Sequence, residues 1–323
     1  MATNYSLNLD ELNAYINQNS TELIAKSVFA PMSTSLFKVQ TGVKAETALN
    51  LLDTTVTFGD GKVCGNEPLS TQTLTQRTIK PGFIQVNLAW CHKDFYNTFA
   101  SHLTNVAAGR ETLPFEQYFI EDVIRNIGKE LEIAIWQGDT DSATTNLSFF
   151  DGLFKIINGA TGVVDAGYDA NESMIDRVWR VYNSIPEETL FDTVIYMNNA
   201  NFRKLVKDLV DANMYHYERN IDESFDIILP GTMTHVKAVS GMQGVDEIVA
   251  MNPNHTVYGT DLENDAETFK FWFSDDDDMF KMKVEFAAGV QIALPSEVII
   301  SKAGSNSGSG SGNGNASGSG NGQ

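Results

Sequence analysis

Four consecutive aspartates, Asp275 to Asp278, are the residues whose type and spacing could most readily bind a metal. Hard cations need several oxygens converging on one point, and loops that achieve this space their carboxylates apart. A contiguous run at a hairpin tip sends neighbouring side chains in divergent directions. This run also lacks the glycine and the downstream glutamate of an EF-hand. A solvated tip that resists edge-to-edge pairing is the better reading. Gly59-x-Gly61 with Gly65 is laid out like a phosphate loop, but the spacing does not fit a dinucleotide fingerprint, and no Lys-Ser/Thr pair follows in register. It reads as a turn. The histidines at positions 92, 102, 216, 235 and 255 show no H-E-x-x-H or i, i+4 pairing. Cys91 and His92 are adjacent, which on a strand sends the two side chains to opposite faces and spoils a nucleophile–base pair. No G-x-S-x-G elbow occurs in the folded part. Tyr215, Tyr217, Trp272 and Phe280 could line a pocket, although aromatics beside strands are more often core or interface material. No catalytic, cofactor-binding or metal-ligating set converges, so an enzyme is the weakest reading.

The elements that would position such residues have different textures along the chain. Residues up to about Ser33 read as a helical arm, with Leu9, Leu12 and Ile16 on one face, and Pro31 stops its continuation. From Thr41 to Asn97 the texture is extended. Thr55 to Phe58 suits a strand, Gly59-Asp60-Gly61 a turn, and a threonine-rich stretch from Ser70 to Thr78 leads through Pro81-Gly82 to a strand at Phe83 to Trp90. These segments hold too few large apolar residues at period two to fold alone. They fit a long hairpin stabilised by a neighbour, or a loosely packed surface loop.

The clearest element is a helix from Pro114 to Trp136. Phe119, Val123, Ile127, Leu131 and Ala134 form a stripe that Ile120, Ile124 and Ile135 widen, while Glu121, Asp122, Arg125, Lys129 and Glu132 fill the remaining face. At 1.5 Å per residue it spans roughly 35 Å, the length of a strut. A helix over Glu172–Asn183, a buried strand at Leu190–Met197 and a helix over Asn201–Asn213 follow. Short strands at 225–229, 235–239 and 247–251 come next, then a hairpin of Phe269–Phe273 with Met279–Phe286, and strands at 290–294 and 298–300. This order implies an α+β fold, a sheet covered by helices. From Ala303 to Gln323 only Gly, Ser, Asn, Ala and a final Gln occur, which reads as a flexible tail.

Composition narrows the function. The 323 residues carry 22 basic against 42 acidic side chains, a net charge of −20. Nucleic-acid binding needs a cationic footprint, so any DNA this chain encloses is held as contents of a container. No long apolar run and no basic-then-apolar start occur, so the expected location is the cytoplasm in which the chain is made. Two cysteines, Cys64 and Cys91, are too few for a disulfide scaffold and show no zinc spacing.

This layout, together with several short phrases, resembles the Hong Kong 97-like major capsid proteins of tailed bacteriophages. Glu132 to Gly138 (EIAIWQG) followed by Phe150-Asp151-Gly152-Leu153 is similar to the spine end and following loop of that family. Phe191 to Phe202 and Gly289 to Pro295 are similar to its later strand–helix and final strand. Lys62-Val63-Cys64-Gly65 with Cys91 resembles capsid proteins of phages that infect Bacteroides-type bacteria. The resemblance implies an N-terminal arm (1–40), an extended E-loop hairpin region (41–97) overlapping a neighbouring subunit, and a spine helix in a peripheral domain (98–152). It further implies an axial domain (153–254), return strands of the peripheral domain (255–302) and the tail (303–323). It implies no catalytic site and no cofactor. The implied product is an icosahedral head shell of hexamers and pentamers around double-stranded DNA, with a separate scaffold protein and a portal as partners and the virion as location. Candidate subunit contacts are Phe58, Asp60, Lys62, Arg77, Lys80, Arg125 and Lys129. An encapsulin-like compartment shares the expected fold, and a surface or adhesion protein is a third class that the Thr/Asn-rich segments suggest. A compact chain of this mass would expose about 13,000 Å², and a shell subunit with a projecting hairpin should expose clearly more.

Overall fold

The computed structural model describes residues 31–58, 71–91, 115–169, 171–213, 226–261, 269–274, 276–277 and 279–302. The expected helical arm before Pro31, the Gly59–Gly61 turn and the Gly/Ser/Asn tail lie outside these residues, as do Cys64, His92, His102, Tyr215, His216 and Tyr217.

The described chain begins with a short helix, α1 (Met32–Leu36), and strand β1 (Lys38–Gln40). Pro31 precedes α1, where its missing N–H costs nothing ahead of a first turn. β2 (Thr47–Thr55) and β3 (Thr71–Ile79) pair antiparallel from Thr47↔Ile79 to Thr55↔Thr71, and β4 (Gly82–Cys91) follows after Lys80-Pro81. The strand expected at 55–58 stops at Thr55, and Val56, Thr57 and Phe58 are exposed beyond it.

The strut is α2 (Phe115–Gln137). Its stripe is buried as the period predicts, at Ile120, Ile124, Ile127, Leu131, Ala134 and Ile135. One residue departs from the pattern: Glu132, assigned to the polar face, is 3% exposed. After α2 come α3 (Leu153–Gly159), β5 (Val164–Asp165), α4 (Met174–Asn183), β6 (Val194–Met197) and α5 (Asn199–Asp211). Side-chain oxygens of Ser173 and Asn198 accept from the backbone amides of Asp176 and Asn201, capping α4 and α5. β6 is shorter than expected: residues 190–193 precede it, and Phe191, read as strand core, is 81% exposed.

The remaining strands are β7 (Asp226–Ile228), β8 (His235–Ala238), β9 (Ile248–Met251), β10 (Thr256–Thr260), β11 (Phe269–Ser274), β12 (Met279–Ile292) and β13 (Ile299–Ser301). The two strands expected at 279–286 and 290–294 are one, since β12 continues through Gly289. Gly289 is required there: a Cβ would sit 2.9 Å from the Lys80 carbonyl oxygen.

Among the described residues these strands make two main sheets and the β2–β3 ribbon. In the first sheet, β12 pairs with β4 along Met279–Ala288, with β11 along Met279–Val284 and with β10 along Ala288–Ile292, while β1 joins β10 in parallel. Its alternation buries Met282, Val284 and Phe286 in one cluster with the α2 stripe, and Ile84, Val86, Leu88 and Trp90 pack against that cluster. The second sheet runs β5-β13-β9-β6-β8-β7. One face (Ile195, Met197, Val236, Ala238, Ile248, Ala250, Ile299) is covered by Val178 and Val181 of α4 and by Leu205 and Leu209 of α5. From its other face Tyr196, Val249 and Ile300 reach the first cluster. The architecture is mixed, helices on sheets, as the order of elements implied.

Candidate functional site

Among the described residues, the β2–β3 ribbon is anchored at one end and carries exposed apolar side chains beyond it. Its root is well made. Val43, Ile79 and Val257 are buried together with Leu49 against them, and Gly259 leaves room, since a Cβ there would come 3.2 Å from both Ile79 Cγ2 and Val43 Cγ2. Gln291 of β12 donates through Nε2 to the Thr78 carbonyl at 2.7 Å and accepts from the Arg77 guanidinium at 3.3 Å. Burial lowers the Arg77 pKa, and its Nε is buried without a hydrogen-bond partner among the described residues.

Beyond the root the ribbon carries apolar side chains into solvent. Leu74 is 69% exposed and directly opposite Leu52, and Phe58, just past the end of β2, is 94% exposed. Phe83, where the chain leaves the ribbon for β4, is 69% exposed. Two paired strands standing alone are marginal in water, and large apolar side chains held exposed on them are available to a partner. The chain as a whole exposes 19670 Å². That total includes the residues outside the described set.

The candidate contact residues fall in four settings. Phe58 is free and exposed. Arg77 is engaged at the ribbon root. Lys80 faces Glu46 at 3.7 Å and Arg125 faces Asp122 at 3.6 Å, both on the surface, where such pairs contribute little. Lys129 is exposed one turn after Arg125. Asp60 and Lys62 lie outside the described residues. Sequence reading missed Leu74 and Phe83; the available signal was a lone leucine in the polar run Thr71–Thr78 at the level of Leu52 on the other strand.

A second constellation closes the C-terminal end of α2. Trp136 is fully buried among Phe37, Phe154 and Tyr196, with ring centroids 5.6–6.0 Å apart. Gly138 and Gly152 meet back to back: the Gly152 amide donates to the Gly138 carbonyl at 2.8 Å, and a Cβ on Gly152 would lie 2.5 Å from the Gly138 nitrogen. The Lys155 ammonium then bonds Asp139 at 2.6 Å, Asp141 at 2.7 Å and Asp151 at 2.9 Å. Those hydrogen bonds raise the Lys155 pKa. Its ammonium holds Asp139 below the usual carboxylate range, and holds Asp151 there too against the opposing effect of burial. The phrases EIAIWQG and FDGL thus encode a packing junction.

Of the four aspartates, only Asp276 and Asp277 are described, and Asp277 pairs with Lys281, which lowers its pKa. Among the described residues no three His, Cys, Asp or Glu side chains gather as metal ligands. No described helix is long and apolar enough to cross a membrane. Cys91 stands opposite Met279 at the end of β4.

The chain matches no protein-family model and no curated protein sequence. Solved structures are similar over most of its length. The procapsid of satellite phage P4, determined with its size-determination protein, aligns with a TM-score of 0.59 at 10% identity, covering 92% of this chain and 98% of that one. The capsid of the native GTA particle gives 0.55 at 10% identity, with 86% and 90% covered. The virus-like particle from Pyrococcus furiosus gives 0.50 at 9% identity, with 91% and 98% covered. Identities this low speak for the fold, and the fold of this chain is that of phage capsid and particle-forming proteins.

Proposed function

We propose that this chain is a structural protein, the major capsid protein of a tailed bacteriophage, which self-assembles into an icosahedral shell around double-stranded DNA. The observation that carries the reading is the β2–β3 ribbon, anchored at its root and presenting Leu74 and Phe58 to solvent, in a chain with a capsid fold. Such a ribbon has a use when a neighbouring copy covers it. In this reading the fold is Hong Kong 97-like, with residues 1–40 as the arm, 41–97 as the E-loop region and 98–152 as the spine part of a peripheral domain. Residues 153–254 form the axial domain, 255–302 the return strands and 303–323 the tail. Phe58, Asp60, Lys62, Arg77, Lys80, Arg125 and Lys129 serve as subunit contacts, Arg77 being also hydrogen-bonded to Gln291 at the ribbon root. A scaffold protein and a portal complete the assembly, the net charge of −20 leaves DNA as contents, and no catalytic step is assigned.

Electron microscopy of the purified chain tests this: closed shells are expected, and persistent monomers under every assembly condition would overturn it. A second reading, an encapsulin-like compartment, is favoured by the likeness to the Pyrococcus particle. The contents discriminate, DNA for a phage head and an enzyme for a compartment.

A further inference from the structure

We propose that Glu132 and Ser33 form a proton-linked latch that holds α1, and with it the point where residues 1–30 join the described chain, against the long helix. The latch is a property of the single chain and does not depend on the shell reading.

Glu132 lies on the buried side of α2. Its Oε2 accepts the Ser33 backbone N–H at 2.9 Å, and its Oε1 accepts the Ser33 hydroxyl at 2.7 Å. The Ser33 hydroxyl oxygen in turn accepts the Trp136 indole N–H at 2.7 Å. The Gly241 backbone closes the other side. A side chain there would meet the Glu132 carbonyl oxygen at 2.3 Å and Trp136 Cδ1 at 2.4 Å, so only glycine permits the approach. Ser33 itself is fully buried. A single carboxylate therefore joins α1 to α2, beside the turn at Ser240–Met242.

No cation accompanies it among the described residues. Among the described residues, hydrogen bonds from Ser33, Gly241 and Trp136 alone oppose the cost of burying the charge, and desolvation outweighs them, so the pKa lies above the ordinary carboxylate value. The elements packed around it bring few ionisable groups. α1 contributes Ser33 and Thr34, and the 240–242 turn Ser240, Gly241 and Met242, none of which titrates here. β6 contributes Tyr196, stacked on Trp136, whose phenol burial keeps protonated. On α2 itself Lys129 is exposed.

When α1 lifts away, Glu132 regains water and an ordinary pKa near 4.5; when α1 is seated, the pKa is raised. Protons therefore favour the seated state. Its advantage is complete below the ordinary value. As pH rises it falls by up to about tenfold per unit until the raised value is passed, and then levels. At higher pH the seated state persists on its hydrogen bonds and on the packing of Phe37 against Trp136.

Hydrogen exchange of the amides in α1, corrected for the intrinsic pH dependence, tests this on the full chain from about pH 5 to about pH 8. Protection is expected to fall with rising pH and level off in the unaltered chain, and to be independent of pH in Glu132→Gln. Parallel profiles for the two chains, sloping or flat, would overturn the latch and leave Glu132 a packing residue. If Glu132→Gln does not fold, Ser33→Ala serves. Losing the hydroxyl donor raises the seated pKa further, so protection must level off at a higher pH, and a profile superimposable on the unaltered chain overturns the proposal.

Discussion

At the end of α2, Trp136 is enclosed on all sides by Phe37, Phe154 and Tyr196, whereas along the β2–β3 ribbon Leu74 and Phe58 stand in water. The first region satisfies its apolar surface within the chain. Glycines at 138, 152 and 241 draw backbones together there until a single methyl would collide. The second makes a firm root from Val43, Ile79, Val257 and Gln291 and then leaves Leu74 uncovered. Burying a leucine or phenylalanine contributes roughly 1.5–3 kcal/mol, a quantity the junction has already gained and the ribbon has not. The same kind of residue therefore supports folding in one region and, in the proposed shell, is left for association in the other.

Substitutions that exchange these behaviours would break the comparison. Trp136→Ala should have the largest effect, a loss of about 3–5 kcal/mol in denaturant unfolding, with assembly failing only because the monomer does. Leu74→Ser should do the reverse. Monomer stability should stay within about 0.5 kcal/mol, since the side chain is exposed already, while the concentration needed for assembly, read by light scattering, rises about tenfold or more. Equal losses of stability in both variants would erase the distinction.

Lys155→Met sharpens the junction side through pH. Asp139 and Asp151 have lowered pKa values in the folded chain, so the stability they confer is present above the ordinary value of 3.8 and is lost as pH falls through the lowered ones. The variant should show a shallower loss of stability on the acid side, measured by thermal unfolding across that range, and little pH dependence of the difference near neutrality. Arg125→Ala should be the smallest, within about 0.5 kcal/mol of the unaltered chain, because its ion pair with Asp122 is exposed; an assembly defect without a stability change would place the exposed face of α2 in a subunit contact.

Sequence made these two regions unequally legible. α2 was plain because its apolar residues repeat at helical spacing from Ile120 to Ile135, and local periodicity survives any tertiary context. The ribbon was recognisable by what it lacked, too few apolar residues to cover itself. Glu132 was read as polar filler, since a periodicity argument sees side-chain type and not Ser33, which reaches it from 99 residues away. Phe191 misled in the opposite sense: an apolar run at 190–197 looks like one buried strand, but pairing with β9 begins only at Val194. The strands β1 and β10 passed unnoticed because β1 is three residues long and its partner is more than two hundred residues away. What remained hidden was set by contacts remote in sequence.

The path from β3 through Lys80-Pro81 into β4 has a mechanical meaning. β4 lies antiparallel to β12 in an unbroken register from Met279↔Cys91 to Ala288↔Gly82. A pull on the ribbon directed along β4 loads those cross-strand bonds together, in shear, instead of opening them one after another like a zipper. β12 then passes the load through the turn at Pro295–Glu297 to β13, which is held between β5 and β9 in the other sheet. Tension applied at the exposed ribbon is thus shared by both sheets, so a strand that carries Leu74 in water is tied to the fully buried strand β13.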